Sequence, residues 1–221
     1  MPTTAPAHQP FATKPLLRGV SHEVAAAVAL AAWAVLAVHA PSARATLAAQ
    51  VYGASLFSLF AVSALYHRPT WSPRARLLMR RLDHAAIFLL IAGTYTPICL
   101  LLGDSRGSTL LVVVWSGAAL GIIQSVLWPT CPKPLSAIVY VLLGWVVLPV
   151  LPALQTRLGP GSIGLLAAGG VVYSLGAVVY ALRRPDPFPR VFGYHEVFHA
   201  LVIGAAVLHF LVAARAVLAL A

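Results

Sequence analysis

The sequence predicts an all-α integral membrane protein, a bundle of seven transmembrane helices. Apolar residues make up 60% of its 221 residues and charged residues only 9%, whereas soluble domains carry about 25% charged residues. The mean hydropathy is +0.88. The apolar residues gather in seven runs of about 20 residues, the length that crosses a bilayer core. A chain with so few charges cannot cover itself with polar surface, so we expect it to lie in the membrane.

The runs follow a tail, residues 1–20, which is rich in Pro, Ala and Thr and which we expect to be disordered and cytoplasmic. No cleavage pattern precedes the first run, so we expect that run to stay as an anchor. The runs are too long for barrel strands and do not alternate with period two, which excludes sheets. Short links make consecutive helices antiparallel neighbours, so residues 21–221 form one membrane domain. The runs cover residues 22–40, 45–66, 82–102, 109–128, 135–154, 161–182 and 192–216.

Prolines mark the start of one helix and predict bends in two. Ser72 and Pro73 have the residue types of an N-cap and a first helical residue, so the third helix is expected to begin before it enters the lipid. Pro97 predicts a kink within that helix, because proline removes one backbone hydrogen bond. Pro149 and Pro152 predict the same late in the fifth helix.

The distribution of Lys and Arg predicts the orientation. Eleven of these residues lie in the tail and in the second, fourth and sixth links, and four lie on the other side. Positive loops stay on the cytoplasmic side, so the N-terminus is predicted to be cytoplasmic and the C-terminus external. The same rule explains the basic composition, so we expect no nucleic-acid partner.

Several polar residues are predicted to meet near the cytoplasmic face. The second helix ends there with Ser63 and His67, the third begins there with Asp83, and the seventh begins there with His195 and His199. The last two are four residues apart and so share one helix face. Three neutral imidazoles with an open fourth position are typical of a catalytic zinc site. Ionisable groups at membrane depth are functional candidates because they are costly to bury.

Each residue also has a structural interpretation. Asp83 can pair with Arg80, three residues earlier, and His67 can be an interfacial ring. Glu196 points about 100° away from the preceding residue around the helix, so we expect it to support the site or form a salt bridge and not to act as the base. His209 lies about 15 Å deeper than the pair of histidines, so we expect a polar contact inside the bundle.

The combined motifs resemble the bacterial hemolysin III proteins, which belong to the progestin and adiponectin receptor family. That family lies within a wider group of membrane hydrolases that includes alkaline ceramidases. The resemblance implies a seven-helix bundle with Zn²⁺ near the cytoplasmic surface, His67, His195 and His199 as its ligands, and Asp83 and Ser63 around the reacting water. The motifs are Ser63-x-x-x-His67, Leu82-Asp83-His84, Gly93-Thr94-Tyr95-Thr96-Pro97 and His195-Glu196-x-x-His199, with His209 beyond.

The resemblance is weaker at the first helix. Many bacterial members carry Asn and His after the glutamate that resembles Glu23, whereas Val and Ala follow it here. The resemblance therefore assigns no role to polar groups of the first helix. The adiponectin receptors have Gln where Glu196 stands, which agrees with a supporting role for that residue.

The expected location is the plasma membrane, in bacteria the inner membrane, and the expected partners are membrane lipids. A cluster of arginines precedes the third helix, and we expect it to contact anionic lipid headgroups. The cluster consists of Arg74, Arg76, Arg80 and Arg81.

The leading functional hypothesis is a zinc-dependent hydrolase of a membrane lipid, an amidase or esterase similar to the ceramidases. Asp83 takes the proton of the attacking water and passes it to the leaving group. Two alternatives stay open: a sensor of membrane lipids with a structural zinc, and a cytolytic, pore-forming protein, as the family name implies. Against a pore, the sequence contains no ring of charged residues of the kind that lines channels. A retinal protein is excluded because Lys14 and Lys133, the only lysines, lie outside the apolar runs.

Overall fold

A computed structural model describes residues 14–220 of the chain. This part contains no β-strand, which confirms the predicted all-α class. Residues 1–13 of the predicted tail lie outside the described range. The helices are α1 (Val20–Val38), α2 (Ala43–His67), α3 (Pro73–Leu102), α4 (Ser105–Leu127), α5 (Lys133–Gly144), α6 (Leu151–Leu182) and α7 (Tyr194–Leu218), with a 3-10 turn at Leu148–Val150.

Polar side chains define where three of the helices begin. The side-chain oxygen of Ser42 accepts a hydrogen bond from the first turn of α2 at 3.2 Å. That of Ser72 does the same for α3 at 3.4 Å, with Pro73 as the first helical residue, as predicted. Asp104 starts α4 in the same way. These caps satisfy backbone N–H groups that have no partner within the helix.

Six helical stretches within residues 14–220 are long and apolar enough to cross a membrane. Five of them match predicted runs. The sixth, Lys133–Leu182, is a single helical stretch of 50 residues in which the sequence predicts two runs. Within it, Gly159 has φ 75° and ψ 164° and so interrupts the helical backbone of α6. Glycine adopts such a conformation without the steric cost that a Cβ brings.

The fifth predicted run is broken, not simply kinked. α5 has 12 residues, about 18 Å of helix, and ends before Pro149, which lies in the 3-10 turn. The Tyr95 hydroxyl of α3 accepts a hydrogen bond from Val147 N–H at 3.0 Å and donates one to the Gly144 carbonyl at 2.7 Å. A side chain of a neighbouring helix thus satisfies the backbone that the break exposes, as membrane interiors require. α3 itself stays helical through Pro97.

The helices pack in chain order, and α7 occupies a central position. Neighbours in sequence form the main pairs, and α7 also contacts α1, α2 and α3 in addition to α6. One apolar cluster joins α1, α2, α3 and α7, and a second joins α3, α4, α5 and α6. The beginning of α7 therefore lies where the end of α2 and the beginnings of α1 and α3 meet.

Candidate metal centre

Three buried imidazoles converge at this junction. His67 comes from the last residue of α2, and His195 and His199 come from the first turns of α7. The Nε2 atoms of His67 and His195 are 3.0 Å apart. The ligand nitrogens of all three rings lie within 4.8 Å of one another. The structure thus brings together the three histidines that the sequence analysis selected.

The geometry fits a divalent metal ion. Nitrogens that bind Zn²⁺ tetrahedrally at about 2.0–2.1 Å are about 3.3 Å from one another, and the observed spacings bracket that value. Nδ1 of His199 is buried and has no hydrogen-bond partner in the described chain. Neutral imidazole is a preferred ligand of zinc and of other late transition metals. The trio can therefore hold such an ion with one nitrogen from each ring.

A fourth imidazole, that of His22 in α1, stacks on one ring of the trio. Its ring lies parallel to that of His199, with centroids 3.7 Å apart and planes 9° apart. His22 is 2% exposed, and neither of its ring nitrogens has a partner in the described chain. The resemblance assigns no role to polar groups of the first helix, but in the structure one such residue, directly before Glu23, contacts the trio. Glu23 itself faces outward and pairs with Arg68 at 3.0 Å.

Gly19 allows α1 to approach the end of α2 closely enough for this stack. It precedes α1 with φ +81°, a conformation that favours glycine. A Cβ at this position would lie 2.7 Å from the Cβ of His67. The absence of a side chain at Gly19 therefore allows the first turn of α1, and with it His22, to pack against the histidine trio.

The segment before α1, residues 14–19, contacts both the C-terminal end of α2 and the loop between α6 and α7. Lys14 Nζ donates a hydrogen bond to the Arg68 carbonyl at 2.7 Å. The backbone N–H of Leu16 donates to the Arg190 carbonyl at 3.1 Å. Burial, and then the positive charge of Arg68, lowers the pKa of Lys14. Residues 14–19 thus form an ordered covering beside the histidines.

Glu196 is committed to structural contacts. Its carboxylate forms an ion pair with Arg18 from the segment before α1. It also accepts a hydrogen bond from Gly193 N–H at 2.8 Å, which caps the start of α7. The residue is 2% exposed, and it is not among the groups that converge as metal ligands. An acid in the first turn also interacts favourably with the helix dipole.

Asp83 and Ser63 lie beside the histidines in one cavity of about 510 Å³. The Ser63 hydroxyl neighbours the Asp83 carboxylate. A purely structural role for Asp83 would be an ion pair with Arg80. In the described chain Asp83 forms no such pair. Its oxygens also lie outside the group of converging ligand atoms. Asp83 is thus placed near the trio as an unpaired carboxylate and not as a fourth ligand.

The cavity continues from this polar end into the apolar bundle. Its deep walls include Ile98 and Leu151, and Ile98 lies about 22 Å from Asp83 along α3. His209 also lines the deep part, where its Nε2 is 3.1 Å from the Leu166 carbonyl. A metal-binding end and an apolar continuation thus share one space.

Together the fold and the site define a multi-pass α-helical membrane protein with a buried three-histidine site that can hold a metal ion. The chain belongs to the Haemolysin-III related family, whose model matches residues 11–210. This agrees with the expected location as a multi-pass protein of the bacterial inner membrane.

Relatives of the chain include both bacterial and animal proteins. It is 34% identical to Hemolysin-3 of Bacillus cereus over 204 residues, 90% of each chain. It is 35% identical to the Hemolysin-3 homolog of Bacillus subtilis over 159 residues, 71% of this chain and 70% of the relative. It is 32% identical to the adiponectin receptor protein of Drosophila melanogaster over 152 residues, 60% of this chain and 34% of that protein.

Proposed function

We propose that the protein is a zinc-dependent hydrolase of a membrane lipid, cleaving an amide or ester bond at the cytoplasmic end of seven membrane crossings. One observation carries this proposal: the three buried histidines and the unpaired Asp83 carboxylate line the same cavity, which continues between apolar helices.

Seven crossings follow if the stretch Lys133–Leu182 crosses twice. Nζ of Lys133, at its beginning, donates to the Tyr194 hydroxyl at 3.1 Å. Asp186, just after its end, accepts a hydrogen bond from Tyr194 N–H at 2.8 Å. Both ends of the stretch therefore lie beside the start of α7. The chain must reverse in between, and Gly159 provides the non-helical backbone for that reversal.

The orientation is supported by what lies at each end of the bundle. The segment before α1 contacts the end of α2 and the α6–α7 loop, and all of these regions are rich in Lys and Arg. The opposite end holds Ser42, whose hydroxyl donates to the Leu220 carbonyl near the C-terminus. The positive-inside rule places the basic end, and therefore the histidines, on the cytoplasmic side.

The residues of the site have distinct roles in this proposal. His67, His195 and His199 hold the ion, which when bound supplies a Lewis acid that polarises a carbonyl group. Asp83 takes the proton from the attacking water and delivers it to the leaving amine or alcohol. Ser63 orients the carboxylate of Asp83.

The apolar part of the cavity supports an acyl chain as the bound portion of the substrate. The volume of about 510 Å³ falls within the roughly 300–1,000 Å³ of small-molecule sites. An acyl chain in the deep part would leave its carbonyl at the polar end, near Asp83 and the histidines.

The test combines elemental analysis with a lipid-cleavage assay on purified full-length protein. We expect about one equivalent of zinc, as in other three-histidine zinc sites, which is lost in His67→Ala and His199→Ala. The exposed His39 serves as the control, so His39→Ala should keep its zinc. We expect Asp83→Asn to keep zinc while losing cleavage of long-chain N-acyl amides and esters. Equal metal in all variants would remove the site.

The same variants separate the alternatives. If Asp83→Asn keeps zinc and no lipid is cleaved by either protein, zinc has a structural role and the sensor hypothesis gains support. The name of the relative Hemolysin-3 makes cytolysis the second candidate. Release of a dye from vesicles by the native protein, unaffected in His67→Ala, would favour that activity over hydrolysis.

A further inference from the structure

The polar end of the cavity is strongly basic. Asp83 is the only acidic residue that lines it. The carboxylate of Glu196 pairs with Arg18, but Glu196 is not among the residues that line the cavity. The basic residues that line the cavity are Arg18, Arg76, Arg80, Lys133 and Arg183.

Four of these cations have no carboxylate partner within residues 14–220. The chain has only five acids, and all five lie in the described range. Glu23, Asp104 and Glu196 pair with arginines other than these four. Asp186 accepts a hydrogen bond from the start of α7. With Asp83 as the single negative charge, the cavity keeps an excess of positive charge.

Lys133 shows that at least one of these cations is held in place at the cavity. Its ammonium group lies 4.5 Å from the ring centre of Tyr180 and 5.2 Å from that of Tyr194. It also donates to the Tyr194 hydroxyl at 3.1 Å. Aromatic faces can hold an ammonium group without neutralising it. The charge is thus half-buried, oriented and available to an anion.

Two arginines of α3 also line the basic end of the cavity. The guanidinium of Arg76 lies 6.0 Å from the ring centre of Tyr66, and Arg80, one turn later, is half-buried beside His84. Arg74 belongs to the same basic cluster and is exposed, as Arg76 is, but it does not line the cavity. Arg74 can therefore serve as a control for the arginines that line the cavity.

We propose that the amphiphile bound in this cavity carries an anionic group, a carboxylate or a phosphate, at its polar end. Lys133 and Arg80 are partly buried without a counter-charge, which is costly in a membrane, and an anionic headgroup would supply that charge. Arg76 and Arg183 line the same cavity but are exposed. Lys133 and the guanidinium groups are the donors that bind carboxylate or phosphate. The inference rests on the proposed function for the fate of the ligand, but it concerns binding and is tested by binding.

The test compares ligands that share an acyl chain and differ in the charge of the polar end. Tritiated N-oleoylglycine and its neutral amide, N-oleoylglycinamide, have the same acyl chain and the same internal amide bond. Oleoyl lysophosphatidate and monooleoylglycerol form the corresponding phosphate pair. Binding to full-length protein in uncharged detergent is measured by scintillation proximity. We expect the anionic member of at least one pair to bind more tightly, and the preferred pair identifies the anionic group.

Substitutions then locate the selectivity. Arg80→Gln and Lys133→Gln are each expected to weaken the anionic ligand about fivefold and to leave the neutral ligand unchanged. Lys133→Arg should restore binding, and Arg74→Gln should have no effect. Unchanged circular dichroism and unfolding temperature establish that the variants are folded.

The outcomes separate this inference from the hydrolase proposal. Equal affinity within both pairs, or the same loss in Arg74→Gln as in Lys133→Gln, would overturn the inference even if the lipids are cleaved. Charge selectivity that depends on Lys133, without any cleavage, would support the inference and refute the hydrolase.

Discussion

Replacing His22 by Ala tests whether the first helix supports the metal site. The ring of His22 stacks on that of His199 at 3.7 Å between centroids, nearly in parallel. Its nitrogens are not among those that converge as ligands. The substitution therefore removes a support for one ligand and leaves the three ligands themselves unchanged.

The expected loss of zinc affinity is moderate. A stacked ring pair contributes about 0.5–1.5 kcal/mol beyond its buried area, a factor of about 2–13 in a binding constant. Loss of groups that orient metal ligands typically lowers affinity about 10–100-fold. We expect His22→Ala to bind zinc about tenfold more weakly while keeping its stoichiometry. His22→Phe keeps a flat ring and should remain closer to the native protein.

The assay is competition for zinc between the detergent-solubilised protein and a fluorescent chelator, with the unfolding temperature measured in parallel. Complete loss of zinc in His22→Ala, not rescued by His22→Phe, would show that His22 is itself a ligand. An unchanged affinity would show that the stack does not orient His199. Either result would refute the supporting role.

Three further predictions concern the surroundings of the site. Gly19→Ala forces a Cβ into a left-handed conformation next to the α2 histidine, so we expect a loss of about 1–2 kcal/mol in stability and weaker zinc binding. Gly164→Ala, where a Cβ meets nothing within 4 Å, is its control in thermal unfolding. Tyr95→Phe leaves a buried backbone N–H without a partner and should cost about 1–3 kcal/mol, measured by denaturant unfolding against Tyr173→Phe. Glu196→Gln removes the ion pair but keeps the cap, so elemental analysis should find its zinc retained; loss of zinc would show that the carboxylate acts on the metal.

Much of the fold and the histidine trio could be predicted because they depend on local patterns. The length of an apolar run predicts a crossing, and the positions of Lys and Arg predict which ends of the runs meet. Once those ends are known, His67 is expected at the same depth as His195 and His199, because each is within two turns of the same surface. No knowledge of side-chain packing is needed for that step.

The contribution of His22 and the break after α5 could not be predicted in this way. An apolar helix with a polar residue at its end gives no sign of which neighbour that residue faces, and here the approach depends on Gly19. The break after α5 depends on Tyr95, which is 49 residues away from the carbonyl it contacts. Neither contact leaves a periodic signal in the sequence.

Close contacts at small residues explain how Ser63 and Asp83 come together. In lipid, small residues let helices approach where the hydrophobic effect does not drive them together. A Cβ at Gly93 would collide with the side chain of Ser55, so α2 and α3 approach each other closely there. From that contact, Ser63 lies eight residues onward, about 12 Å along α2, and Asp83 ten residues back, about 15 Å along α3. Because the two helices are antiparallel, both steps lead toward His67. The close contact at Gly93 therefore helps to set how Asp83 on α3 lies relative to the histidine trio, so a larger residue there should change zinc binding without replacing any residue of the site.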